Sequence, residues 1–250
     1  MNIKIRCSSL GSIMAGTKRV GLTEKQAETL NNLLTKIKLT EKQAELRDEL
    51  IAKRDAKPTL SAGAKTTVEK IVRAQYLGYS NAQLFSSKET EKGNLVEQSA
   101  IDYISDFYIN EFEKNLMYFE NDYITGNPDI YKERSIIDIK CPWSKATMPL
   151  TLEEGQNDDY EWQVRGYMWL TDSDVASIQY VLMNTPEELC KYEDPLLHNV
   201  DDLPPHKRLL SILYFRDKEK EELIKNQVIL CQEYAKEYLD KIITNSTSML

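Results

Sequence analysis

The run Ser135-Ile136-Ile137-Asp138-Ile139-Lys140-Cys141 constrains the fold more than any other stretch. Its three isoleucines favour a strand, and successive side chains of a strand leave opposite faces. Ile137 and Ile139 then share one face, suited to packing under a helix, while Asp138 and Lys140 share the other. Two ionisable groups on an otherwise apolar strand need a partner or a task, because burying an unpaired charge is costly. The preceding run, Tyr118 to Tyr131, also reads as strand, and the charged turn Lys132-Glu133-Arg134 joins the two as a hairpin. Such a hairpin sets Asp129 beside Asp138.

The flanking pattern is helical. Thr23-Glu-Lys-Gln-Ala-Glu28 recurs as Thr40-Glu-Lys-Gln-Ala-Glu45, and each copy reads as a capping box. Helices over about 24–37 and 41–54 follow, forming a hairpin across 23–54. Further helices are expected at about 64–77, from Gly93 to about Tyr108, and at about 158–171. Strands at about 176–184 and at Leu209–Phe215 come next, and a long helix from Lys218 to about Ile243 closes the chain. This order predicts an α/β (α+β) fold: a central mixed sheet flanked by helices, with an N-terminal helical hairpin and a long C-terminal helix. At 250 residues the chain suits one domain, divided into a basic helical part (1–75) and a core (93–243).

Charge divides unevenly. Residues 1–75 carry 15 Lys+Arg against 8 Asp+Glu, whereas residues 76–250 carry 17 against 32. The basic third suits a phosphate backbone or simply solvent, and the acidic remainder confines any polyanion to a lined cleft. Lys18, Arg19, Lys53 and Arg54 read as solvated charge. The four cysteines stand far apart, in no metal-ligand spacing with His198 or His206, so structural zinc is not expected. No apolar run is long enough to span a bilayer, and the N-terminus lacks the apolar stretch of a signal peptide, so a soluble, intracellular protein is expected. Nucleotide-binding glycine loops and serine-hydrolase or HExxH motifs do not occur.

Two close carboxylates resist joint ionisation unless a cation lies between them. Asp129 and Asp138, with the carbonyl of Ile139, therefore suit Mg²⁺ or, in its place, Mn²⁺, both of which take oxygen ligands. Glu97 stands on an otherwise apolar helical stripe with Ile101, Ile104 and Tyr108 and is a further ligand candidate. An ammonium at Lys140 would orient or deprotonate a water and stabilise charge on phosphorus. The amide of Gln163 could bond Lys140, that water or a phosphate. Arg6, Ser8 and Ser9 offer donors suited to a terminal phosphate.

These residues carry a resemblance. Pro128-Asp129 followed by Asp138-Ile139-Lys140 is similar to the signature of the PD-(D/E)xK nuclease superfamily, with its restriction-endonuclease-like core. Gln163-Val164-Arg165-Gly166-Tyr167 resembles the QxxxY element of its RecB-like and phage exonuclease branches. Gly93-Asn-Leu-Val-Glu97-Gln-Ser-Ala100 resembles the helix of the YqaJ and lambda-exonuclease branch. Arg6 to Ser12 resembles that branch's opening segment, which helps hold a 5′ phosphate.

The resemblance implies a Mg²⁺-dependent deoxyribonuclease in which Asp129, Asp138, Lys140, Glu97 and Gln163 are catalytic and Tyr167 contacts DNA. It further implies 5′-to-3′ digestion of double-stranded DNA ends in phage-type recombination, in the cytoplasm of a bacterial host. A homo-oligomer, commonly a trimer, and a single-strand annealing protein as partner also follow from the resemblance. A structure- or sequence-specific endonuclease and a non-catalytic DNA-binding module are the alternatives. The helical hairpin at 23–54 has no counterpart in the family's core, and its role stays open.

Overall fold

The structure, a computed structural model, describes residues 2–16, 22–56, 58–80 and 87–247. Lys18 and Arg19 lie outside them. In chain order the elements are β1 (Ile5–Arg6), α1 (Leu10–Met14), α2 (Glu24–Leu34), α3 (Glu41–Asp55), α4 (Ala62–Leu77) and α5 (Lys88–Tyr108). Then follow β2 (Phe119–Glu120), β3 (Ile124–Gly126), β4 (Ile130–Lys132), β5 (Ser135–Lys140), α6 (Leu152–Gly155) and α7 (Asp158–Thr171). Strand β6 (Val175–Val181), α8 (Glu187–Cys190), α9 (Pro195–His198), β7 (Leu209–Phe215) and α10 (Lys218–Thr247) complete the fold. It is the mixed α/β architecture expected, with helices against the sheets and a long terminal helix.

The single strand expected across Tyr118–Tyr131 is instead three. The side chain of Asn121 accepts from the amides of Tyr123 and Ile124, both at 2.8 Å, and so turns the chain between β2 and β3. Pro128, which cannot donate to a ladder, stands in the break between β3 and β4. A three-stranded sheet in the order β1-β3-β2 results, beside the main sheet β4-β5-β6-β7. In the main sheet β5 and β6 are parallel and are joined through α7. The outer pairs β4–β5 and β6–β7 are antiparallel.

Register is pinned at the β4–β5 turn. Glu133 and Arg134 have φ of 51° and 61°, as a two-residue type I′ hairpin requires, without the usual glycine. The Arg134 guanidinium binds both carboxylate oxygens of Asp174 at 2.9 Å and reaches Asp172 at 2.7 Å. This ties the hairpin tip to the turn between α7 and β6, so a slip of β5 would break both attachments.

The two faces of β5 meet different cores. Ile136 packs with Val164 and Met168 of α7 in the main core. Ile137 and Ile139 lie with Ala100, Ile101 and Ile104 of α5. The alternation read from sequence is thus realised, with α5 as the covering helix. Helix α10 presents Ile224, Val228, Cys231 and Ala235, all fully buried, to the main core. Gln227 donates to the Ile13 carbonyl at 2.8 Å and Gln232 to the Ile3 carbonyl at 2.9 Å, holding the N-terminal segment in place. Helices α2 and α3 form the expected hairpin with both capping boxes present. They enclose a small separate core of Leu30, Leu33 and Leu50.

Helix α10 is also fastened to α7 by charge. Glu161 is bonded to Arg165 at 3.0 Å and to Lys220. Burial works against its charge, but those two bonds outweigh it and hold the carboxyl below its usual range. A depressed folded-state value means that the contribution is present above the unfolded carboxylate pKa and vanishes as pH falls through the folded one. Glu161→Gln should therefore cost about 1 kcal/mol at neutral pH, the side chain being partly exposed. The difference from the parent should disappear in urea titrations below the folded pKa of Glu161.

Candidate active site

Strand β4 stops pairing with β5 at Ile130↔Ile137, and the two strands part beyond it. The vacant ladder position is taken by a side chain: Asp129 Oδ2 accepts from the Ile139 amide at 2.7 Å. Asp129 is therefore fixed beside the end of β5, as the hairpin reading required. Burial, reinforced by the charge of Asp138, pushes the Asp129 carboxyl well above the usual carboxylate range.

Asp138 is 1% exposed. Its Oδ2 lies 2.7 Å from Lys140 Nζ as an ion pair but has no well-directed hydrogen bond. Burial opposes the Lys140 ammonium, yet Asp138, then Asp129 and Tyr160, outweigh it and hold its pKa above the ordinary lysine value. Lys140 is thus a cation at neutral pH. Tyr160 of α7 sets its ring face 4.4 Å from Nζ.

Gln163 bridges the pair. Its Oε1 accepts from Lys140 at 3.2 Å, and its Nε2 donates to Asp138 Oδ1 at 3.2 Å and to the Tyr167 hydroxyl at 3.0 Å. The four-residue spacing within Gln163–Tyr167 places both on one helical face, where they meet. Tyr167 is 5% exposed and holds Gln163 from behind, and it does not line the cleft.

The cleft measures about 680 Å³ and is walled by Glu97, Asp129, Asp138, Ile139, Lys140 and Gln163, with Ser8 at its N-terminal side. Ser8 is brought there because Cys7 inserts against two glycines. A Cβ on Gly126 or Gly166 would lie 2.9 or 2.8 Å from Cys7 Sγ, so only glycine admits the thiol. Arg6 is exposed at the end of β1 and Ser9 half-buried, and neither lines the cleft. Glu97 reaches the cleft from α5 and pairs with Lys114 at 3.0 Å.

These groups fit a hard divalent cation. Asp138 is buried and Asp129 half-buried, one Asp138 oxygen has no directed hydrogen bond, and Ile139, whose backbone carbonyl is a further oxygen, lines the same cleft. Among the described residues no three His, Cys, Asp or Glu side chains gather as a ready-made metal cluster. The set would therefore rely on two carboxylates, the carbonyl and waters, with Glu97 joining only on release from Lys114.

Sequence reasoning missed Lys92. This α5 lysine is fully buried, and its ammonium donates to the carbonyls of Pro142 at 2.6 Å, Met183 at 2.9 Å and Trp143 at 3.0 Å. Burial pulls its pKa down to about 8. All three donors are used, and they tie α5, bearing Glu97, to the segment that follows Lys140. The signal was present: Lys92, Val96 and Ala100 form an i, i+4, i+8 stripe facing the core. Lys92→Met keeps the stem but takes the ammonium from the Pro142 and Met183 carbonyls, while the Trp143 carbonyl keeps the Thr185 hydroxyl at 2.7 Å. It should lower stability by about 1–3 kcal/mol or more and speed amide exchange in residues 141–144, measured by urea titration and hydrogen exchange.

No protein-family model matches the sequence, and no curated protein matches it either. Solved structures do. A phage-related exonuclease from Haemophilus somnus 129PT superposes with a TM-score of 0.75 at 28% identity, over 97% of each chain. The alkaline exonuclease of Laribacter hongkongensis gives 0.58 at 14% identity, over 76% of this chain and 88% of that one. The complex of that enzyme with dAMP gives 0.59 at 13% identity, over 98% and 97%. In its fold, along nearly its whole length, this chain groups with the phage-related and alkaline exonucleases.

Proposed function

We propose that the protein is a Mg²⁺-dependent deoxyribonuclease that degrades double-stranded DNA from its ends, in the 5′-to-3′ direction, within phage-type recombination in a bacterial cytoplasm. The observation that carries this reading is the convergence of Asp129, just before β4, with Asp138 and Lys140 of β5 and Gln163 of α7 on one cleft. The fold shared with a phage-related exonuclease at 28% identity supports it.

Asp129, Asp138 and the Ile139 carbonyl, with Glu97 as a further candidate, would hold Mg²⁺ or Mn²⁺. The bound ion would polarise the phosphodiester and acidify a water. Lys140, held protonated by Asp138, contributes positive charge where negative charge builds on phosphorus. Gln163 fixes the direction of that ammonium and of Asp138 together, and Tyr167 fixes Gln163. Ser8 offers a hydroxyl for a terminal phosphate, with Arg6 and Ser9 beside it in sequence. No helix among the described residues is long and apolar enough to cross a membrane. A homotrimer and a single-strand annealing protein as partner complete the proposal.

Linear duplexes with and without a 5′ phosphate, incubated in Mg²⁺ or in EDTA, test the reading. Cleavage should require the metal, start at ends, prefer a 5′ phosphate and spare a covalently closed circle. Cutting of the circle would favour an endonuclease. Asp138→Asn should reduce kcat by roughly two orders of magnitude while duplex binding persists.

A further inference from the structure

Glycine in a helix interior is destabilising relative to alanine, so a helical glycine needs a compensating reason. In the described helices most have one close at hand. A Cβ on Gly11 would collide with Asp159 at 2.1 Å, on Gly155 with Leu210 at 2.8 Å, and on Gly166 with Leu10 at 2.5 Å. Gly63 stands in the first turn of α4, where Ser61 caps the helix. Gly93 differs. It lies well inside α5, and its φ is not positive; among the described residues, beyond its chain neighbours and its own helix backbone, nothing is within 4 Å of where its Cβ would be. Neither packing nor backbone conformation accounts for it.

The open space beside Gly93 is the cleft itself. Thr90, Gly93, Asn94 and Glu97, at i, i+3, i+4 and i+7, line it from one face of α5. That face is held in place, because the adjacent Lys92 is anchored to the carbonyls of Pro142 and Trp143, which line the cleft, and of Met183. A helix surface stripped of its side chain at one position, flanked by a hydroxyl and an amide, admits a close-lying backbone and offers it uncharged hydrogen bonds.

We propose that this face of α5 is a seat for the sugar–phosphate backbone of the nucleic-acid strand: Gly93 lets the strand lie against the helix, and Asn94 and Thr90 hydrogen-bond to it. The seat rests on the nuclease reading for the identity of its occupant. It adds a binding surface opposite Lys140 and Gln163 and formed by a different helix.

Gly93→Ala and Gly93→Leu test it, with thermal melting, cleavage of a linear duplex and anisotropy of a labelled duplex measured on each. Since nothing among the described residues opposes the added carbon, both variants should fold, with Gly93→Ala melting at the parent temperature or higher. KM and the apparent Kd should rise roughly tenfold for alanine and further for leucine. Folded variants that cleave and bind as the parent does would overturn the seat and leave the nuclease reading intact. A parent that binds duplex without cleaving it would instead sink the nuclease reading, while weakened binding by Gly93→Leu would still uphold the seat. A parent that neither binds nor cleaves removes both.

Discussion

The buried ion pair of Asp138 and Lys140 is the constraint around which the rest is arranged. Such pairs are poor stabilisers, because desolvation of two charges can exceed their attraction, and an apolar pair of similar volume often serves a fold better. The surrounding structure nevertheless spends its polar contacts on keeping this one. Gln163 bonds both partners, Tyr167 bonds Gln163, and Tyr160 covers the ammonium. Asp129 is brought within electrostatic reach by replacing a missing strand partner at the Ile139 amide. An arrangement that strains local electrostatics and is held from several elements at once is characteristic of a site rather than of a core.

What the sequence disclosed was what depends on short-range periodicity. The period of two on β5 separated Asp138 and Lys140 from Ile137 and Ile139, and both faces found the surroundings expected. The capping boxes at Thr23 and Thr40 are local hydrogen-bond patterns, and both formed. The contact between Gln163 and Tyr167 follows from helical spacing alone.

What stayed hidden depends on residues distant in the chain. The pairing of β1 with β3 joins positions more than a hundred residues apart, and nothing in Ile5-Arg6 announces it. The division of the 118–131 run came from one asparagine side chain turning the backbone, a use that composition does not distinguish from a solvated polar residue. Lys92 is the most instructive case. Helical spacing sets it on one stripe with Val96 and Ala100, but a lysine in a charged segment reads as surface, and the convergence of three carbonyls from two other segments is what makes its burial tolerable.

The charge of the cleft bears on how a polyanion could enter it. Among the described residues Glu89, Glu97, Asp129 and Asp138 line it together with Lys140, and Lys114 pairs with Glu97. A phosphodiester chain approaching such a wall meets net repulsion, which low dielectric strengthens. Cations bound at the acids would reverse that sign locally, so on the proposed reading metal loading and strand binding are linked, each favouring the other. The rest of the described wall, Ser8, Thr90, Gly93 and Asn94 among it, is uncharged. Neutral donors add no long-range attraction to compete with the metal-dependent term, and they would contact a backbone without regard to base sequence. An acidic protein with an acidic cleft is in this way compatible with a nucleic-acid substrate, provided that the cations arrive with it or before it.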